Sequence, residues 1–482
     1  MVRTNQVIVF INITVLILAL FVYNFVSYSF NDNFVFYMLL AVTIVTLIFF
    51  LKQEPISVLR KNFFKHSNIF LIGFFIVSFQ KYLDYYLGYI HKNDLFMAVS
   101  ENAVAKSMLV AFIGLVSFYI GFFIRKNNYR KGVSVFKKTG TEIISILSIF
   151  FLFAFLFNVN PAYVFGGYGI FDMGTNAVYF SILFKASYFA LIIQKIINIK
   201  QSNDKLISVF SYLKSIGYIN IILLSLYLSV VILSGDRGDI IVFSLLLLIG
   251  YLISTGKKFG LVKSVVIIGC ASLLLTILGI ARSFNTSEDS SFITNISKAI
   301  NSESEKAQDE SIIPATSELA ASVKAIQYSI EYVPEYHDYL YARFPITSLI
   351  GIIPLSSNIF PYVFEDTSIK YTSSDNFVTW LIVGVEDPTS GQGTSLLADF
   401  YLSYGLNGII FGMIFFGWLV RYCEQQIDIE NNERLIFFII SIIVFCSSVY
   451  LARSSLFSLM RLISWTWLIV FFNKKIVSGL RL

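Results

Sequence analysis

The chain has 482 residues, of which 56% are hydrophobic and 14% charged, with a mean hydropathy of +0.73. Soluble domains carry about 25% charged residues, so water-soluble folds are excluded and an all-α polytopic membrane protein is expected. The net charge of +6 hides a division: the polar segment 282–394 holds 15 acidic and six basic residues, leaving the remainder at +15. That balance fits membrane topology and contact with anionic lipid, and gives no indication of a nucleic-acid partner.

The N-terminus opens with Arg3 and an apolar run from Val7, and no small-residue cleavage site follows Ala19, so it reads as a retained first span. A crossing helix needs about 17–25 apolar residues. About twelve transmembrane helices are expected on that basis, at 7–26, 34–51, 69–90, 103–124, 142–159, 177–197, 216–233, 240–254, 261–281, 395–420, 435–451 and 456–472. With the N-terminus inside, 23 of the 36 Lys and Arg fall on inner segments or inner span ends, ten on outer segments or outer span ends, and three (Lys81, Lys185, Arg461) deeper within spans. Cytoplasmic loops hold the basic excess. Both termini are therefore expected in the cytoplasm, and segment 282–394 outside, between nine spans in 1–281 and three in 395–482. Cys270 and Cys446 fall in spans and Cys423 at an inner span end, so neither a disulfide framework nor a CxxC metal site is present.

The outer segment begins with a Ser-, Glu- and Asp-rich stretch, 285–310. A helix is expected to follow: Thr316 or Ser317 can cap it, Leu319, Val323, Ile326 and Ile330 recur at helical spacing, and Pro334 ends it. Turns at Ala342-Arg-Phe-Pro345 and Ile353-Pro354 separate short apolar stretches, which points to a folded, mostly helical cap.

Ionisable groups at membrane depth or at outer helix ends are costly and tend to face a cavity. Five arginines qualify: Arg237, Arg282, Arg343, Arg453 and Arg461. Arg237 lies in the turn Ser234-Gly-Asp-Arg-Gly-Asp239, where Gly235 and Gly238 allow a bend and a helix N-terminus follows. Such a turn can cradle phosphate, with Asp236, Gly238 and Asp239 beside it; it can equally be a hairpin tightened by Arg237 pairing with Asp236 or Asp239. Asp399 falls one turn into the tenth span, as a base or as half of an ion pair. Lys81 and Asp84, at i and i+3, are expected to pair, and Lys185 in mid-span implies a partner, water or an anion. His337 is expected on the loop surface.

The outer segments contain no Asp-x-Asp pair of the kind that holds a divalent ion, and the chain has no P-loop, GxSxG or Rossmann glycine pattern. No metal or cofactor is expected.

The ordered set of SGDRGDIIVFSLLLLIGYL, the ARS after the ninth span, ARFPITSLIGIIP and GQGTSLLADFYLSYGLNGIIFGMIFFG resembles the Wzy-type O-antigen polymerases over roughly residues 234–417. The resemblance implies a bundle of the C-type glycosyltransferase class. It implies transfer of a growing glycan from one undecaprenyl diphosphate to the next lipid-linked repeat unit at the outer face of the bacterial cytoplasmic membrane. A chain-length regulator and a flippase of the same pathway would be partners. Members often carry Glu where this chain has Asp399, which leaves the base open. On this reading Arg237, Arg282 and Arg343 surround diphosphate or glycan, Asp399 is the base, and Asp236, Gly238, Asp239, Arg453, Arg461 and Lys81 contact substrate. An O-antigen ligase shares these features; a lipid-linked oligosaccharide flippase would show two similar halves and short outer loops; a non-catalytic assembly subunit would use the cap for docking.

Overall fold

The computed structural model describes residues 2–25, 29–52, 63–96, 99–125, 138–164, 173–202, 208–234, 236–260, 262–264, 266–267, 311–313, 316–354, 359–386, 391–427 and 435–479. Arg282, Cys270, Gly235, the stretch 285–310 and most of the expected ninth span lie outside the described residues.

Every described element is a helix. Before the polar segment these are α1 (Val2–Phe25), α2 (Asp32–Lys52), α3 (His66–Tyr86), α4 (Lys92–Phe96), α5 (Glu101–Ile124), α6 (Glu142–Asn158), α7 (Pro161–Val164), α8 (Thr175–Gln201), α9 (Val209–Ile216), α10 (Tyr218–Ser234) and α11 (Gly238–Thr255). The polar segment holds α12 (Ser317–Ala320), α13 (Val323–Tyr332), α14 (Arg343–Ile350), α15 (Phe360–Val363) and α16 (Ser374–Val383). α17 (Leu396–Gln426), α18 (Leu435–Leu451) and α19 (Leu459–Gly479) complete the chain.

The expectation of about twelve spans is not reached among the described residues: seven helices are both long and apolar enough to cross, or eight if the bent pair α9–α10 forms one span. α6 and α18, at 17 residues each, lie at the lower limit for a crossing helix. α3 has the length, but Asn68, Gln80, Lys81 and Asp84 dilute its apolar character.

The core forms where the bundle is tightest, between α5 and α17. A Cβ on Gly121 would lie 1.9 Å from the Ile414 carbonyl oxygen, and one on Gly417 would lie 2.1 Å from that of Phe118. With no side chain at either position the backbones touch, as small residues allow in membrane helices. Phe70, Phe118, Phe122 and Phe416 fill the space around them, each fully buried.

α17 is broken. Tyr404 and Gly405 leave helical geometry, Gly405 with φ +62° in the left-handed region that favours glycine. The arm 396–403 folds back so that Phe400 packs on Gly408 and Gly412, while residues 406–426, about 31 Å of helix, suffice to cross by themselves. The cap is built on this arm: Val333, Phe344, Phe377 and Val378 form a cluster with Ala398 and Leu402, and the Leu340 N–H donates to the Leu402 carbonyl at 2.8 Å. The polar segment is thus folded onto the bundle.

The expected cap helix divides into α12 and α13 around Ala321 and Ser322. Thr316 stands at the N-cap position, yet its hydroxyl donates to Gln80 Oε1 of α3 at 2.7 Å, docking the segment on the bundle. Ser311 Oγ and the Ile312 N–H donate to Asp84 at 2.8 and 3.0 Å. Asp84 therefore serves the cap, and the expected Lys81–Asp84 pair is not formed. Lys81 instead stands near Lys324 of α13, whose ammonium is held below its ordinary value first by burial and then by Lys81.

Candidate active site

Two helices stop short of their neighbours on the face that carries the cap. His66 meets the Ser441 carbonyl at 2.8 Å, and Gly73 lies against Val449, so α3 and α18 run side by side with a constant offset. α18 ends at Leu451. Arg453 is therefore level with about residue 77 of α3, roughly 13 Å below Tyr86. The same holds for α11 and α8: Lys185 Nζ reaches Asp239 Oδ1 at 2.7 Å, ten residues or about 15 Å below the start of α8 at Thr175. The turns carrying Arg237 and Arg453 are thus sunk below the ends of the taller helices.

Arg237 is the N-cap residue of α11, and its guanidinium bonds the carboxylate of Glu318 on α12. The other oxygen of that carboxylate lies 3.8 Å from Arg453 Nη1. Two turns widely separated in sequence thereby converge on one anionic group. Asp239 accepts Lys185 and the Tyr227 hydroxyl, which Ser181 also meets, and Asp236 Oδ1 accepts the Gly238 N–H at 2.8 Å. Burial, and after it the neighbouring Asp239, pushes the Asp236 carboxyl above its ordinary range, with Lys185 opposing. Of the partner, water or anion that a mid-span lysine implies, Lys185 has a partner, Asp239.

Asp399 lies in the folded-back arm at 1% exposure. Ser455 Oγ donates to its Oδ2 at 2.8 Å, and the Leu396 N–H donates to the Ala452 carbonyl, stitching the arm to the turn that carries Arg453. Gly393 lies against Arg453, whose Nε would be 3.7 Å from a Cβ there.

The remaining expected residues stand apart from this pair. Arg343 Nη2 bonds the Asp366 carbonyl and its Nε the Tyr371 carbonyl at 3.3 Å, while its guanidinium lies over Phe364 and Tyr371. Those contacts hold the cap together. Arg461 sits beside Gly351 at the end of α14, 6.0 Å from the Tyr179 ring. His337 packs on Trp380 at 4.9 Å, half-exposed as expected.

The sequence matches the family model of the O-antigen polysaccharide polymerase Wzy over residues 8–477. The chain belongs to that family. Comparison with curated proteins and with solved structures gave no match. Family membership makes the protein a polysaccharide polymerase, and the long apolar helices make it a multi-pass membrane protein. Among the described residues no cluster of His, Cys, Asp or Glu has the form of a metal site.

Glu318 was missed by reading sequence alone. It sits in a run of acidic and small residues typical of a solvated helix start, and its value comes from where α12 docks. The capping signal at Thr316 marked the helix but could not show that Gln80 would take the hydroxyl.

Proposed function

We propose that the chain elongates O-antigen or a related surface polysaccharide at the outer face of the cytoplasmic membrane. It does so by moving the growing glycan from one undecaprenyl diphosphate to the next lipid-linked repeat unit. The observation that carries this reading is the convergence of Arg237 and Arg453 on the single carboxylate of Glu318, below the helix ends and beneath the cap. A site in which one guanidinium bonds a carboxylate and a second stands 3.8 Å from it is suited to a diphosphate, whose oxygens accept the planar pairs of N–H donors that arginine offers.

As the bond between the anomeric carbon and the diphosphate oxygen breaks, negative charge grows on the leaving group. Arg237 and Arg453 are fixed in place beforehand and lower the barrier by meeting that charge. Asp236, Gly238 and Asp239, with Lys185, hold the Arg237 turn in shape. Asp399 fixes the Arg453 turn through Ser455 and acts as a positioning residue. Arg343 and Arg461 brace the cap above, where glycan passes, and Lys81 with Lys324 presents further positive charge toward the anionic substrate. The outer location rests on the 23-to-ten division of basic residues.

The test is the surface glycan of a deletion strain. Loss of the polymerase should leave single repeat units attached to the lipid A core, because ligation proceeds without polymerisation. Long polymer stranded on the undecaprenyl carrier would show instead that the chain is the ligase.

A further inference from the structure

Transfer to an acceptor hydroxyl requires a group to take its proton, and four described carboxylates lie on, or are bonded to, the two arginine-bearing turns: Asp236, Asp239, Glu318 and Asp399. Asp239 is bound by Lys185 and by the Tyr227 hydroxyl, and is 9% exposed. Asp236 is turned onto its own loop by the Gly238 N–H. Asp399 is sealed at 1% exposure against Ser455. Glu318 has 47% of its side chain exposed, so of the four it is the one a bound sugar can reach without unpacking the bundle.

We propose that Glu318 is the proton acceptor of the transfer, and that the donor diphosphate frees it by taking its place on Arg237 and Arg453. The inference rests on the polymerase reading above. In the structure one carboxylate oxygen bonds Arg237 and the other lies 3.8 Å from Arg453 Nη1, so both face guanidiniums rather than a substrate hydroxyl. A diphosphate carries more charge on the same kind of oxygen and competes for the same donors. Once displaced, the carboxylate cannot travel far, because both flanks of α12 are tied to the bundle. Thr316 bonds Gln80 on one side, and on the other Glu331 of α13 accepts the Ser100 hydroxyl at 2.6 Å. The displaced side chain therefore stays within its own swing of the phosphate that replaced it. The anomeric carbon is one bond from that phosphate's oxygen, and a general base acts at about 2.6–3.2 Å from the hydroxyl it deprotonates.

The step balances with the groups named. The proton of the acceptor hydroxyl passes to a Glu318 carboxylate oxygen, and the hydroxyl oxygen bonds to the anomeric carbon. The bond from that carbon to the diphosphate breaks, and its electron pair stays on the diphosphate, held by Arg237 and Arg453. The resulting carboxylic acid returns its proton to water when the undecaprenyl diphosphate leaves and the arginines reclaim Glu318. The enzyme thus activates its base only when the donor is seated.

The experiment uses the full-length protein in liposomes with undecaprenyl-diphosphate-linked repeat units, comparing wild type with Glu318→Gln and Glu318→Ala at matched folded protein. Positioned general bases contribute about 100-fold to 10,000-fold, so both variants should elongate at least about 100-fold more slowly. Binding of the donor lipid should be equal or tighter, since the Glu318 carboxylate no longer competes for the arginines. Formate, a small carboxylate, should restore part of the rate of Glu318→Ala, where there is room for it, and leave Glu318→Gln unchanged. If Glu318 only plugs or ties the site, both variants will elongate at or above the wild-type rate and formate will not help; that result overturns the inference and leaves the polymerase reading intact. Failure of the wild type itself to elongate would overturn the polymerase reading.

Discussion

Removing the Arg237 side chain separates two roles that the structure gives it. As a tie, Arg237 holds α12 through Glu318; with 47% of the Glu318 side chain exposed against 17% of Arg237, solvent screens the pair from the carboxylate side and it contributes about 1 kcal/mol to stability. As a charge-bearing group beside the leaving diphosphate, its loss should cost about 2–4 kcal/mol of transition-state stabilisation, by analogy with removal of an oxyanion donor, or roughly 30-fold to 1000-fold in rate. Activity should therefore fall far more than abundance in Arg237→Ala. Arg237→Lys keeps a positive charge but loses the planar fork, so it should recover only part of the rate. The assay is polymer length and initial elongation rate per folded molecule, with membrane abundance measured alongside. A hairpin role in which Arg237 only tightens its own turn predicts the opposite pattern, reduced abundance with near-normal activity per molecule. Full activity of Arg237→Ala at normal abundance would refute the catalytic assignment outright.

Other predictions address packing, charge and topology. Gly121→Ala and Gly417→Ala each drive a Cβ into a backbone carbonyl across the α5–α17 contact, and should lower folded yield by about 1–3 kcal/mol equivalent; Gly260→Ala, with nothing within 4 Å, serves as the unaffected control in detergent size-exclusion profiles. Asp236→Asn keeps an acceptor for the Gly238 N–H and removes a partly buried charge. Because the Asp236 carboxyl is raised in the folded state, its ionisation weakens the native protein as pH rises through that raised value. The variant should thus unfold at a higher temperature than wild type at pH 7, with the gap closing as pH falls below the ordinary carboxylate range; an equal gap at pH 3.5 would contradict this. Tyr362, 90% exposed on α15, should as Tyr362→Cys react with an impermeant thiol reagent in intact spheroplasts, and labelling only after lysis would place the cap on the cytoplasmic side.

Much of the fold was legible because it depends on local pattern. Apolar runs near 20 residues mark α1, α2, α5, α8 and α11 almost to their ends, since a crossing helix has few other solutions. The count of about twelve is not confirmed among the described residues, where length or polarity lies at the edge of the rule. α6 and α18 end at 17 residues, and α3 sacrifices apolar character to dock the cap through Gln80 and Asp84. The break in α17 was invisible because Tyr404-Gly405 reads as an ordinary pair within an apolar run; only the contact of Phe400 with Gly408 and Gly412 shows the arm folding back. Among site residues, charge at a helix end marked Arg237 and Arg453, but pairing across the cap depends on how α12 lands on α3, which no local pattern encodes.

The short helices explain why the chemistry sits where it does. Had α11 and α18 matched α8 and α3 in length, Arg237 and Arg453 would stand at the level of the cap and face bulk water, where a guanidinium contributes little to a developing charge. Ending early sinks both by about 13–15 Å, and the folded-back arm of α17 packs against the Arg453 turn, where Asp399 accepts from Ser455. That arrangement needs a break at Gly405, because a straight helix from Leu396 would carry Asp399 past the Arg453 turn. It also needs a buried acceptor for Ser455, which Asp399 supplies. On this account Asp399→Asn, which can still accept from Ser455, should leave elongation near normal, whereas Asp399→Leu should loosen the Arg453 turn and reduce donor binding without abolishing the fold. Loss of elongation in Asp399→Asn equal to that in Arg237→Ala, with the protein folded and donor bound normally, would return the proton-accepting role to Asp399 and remove it from Glu318.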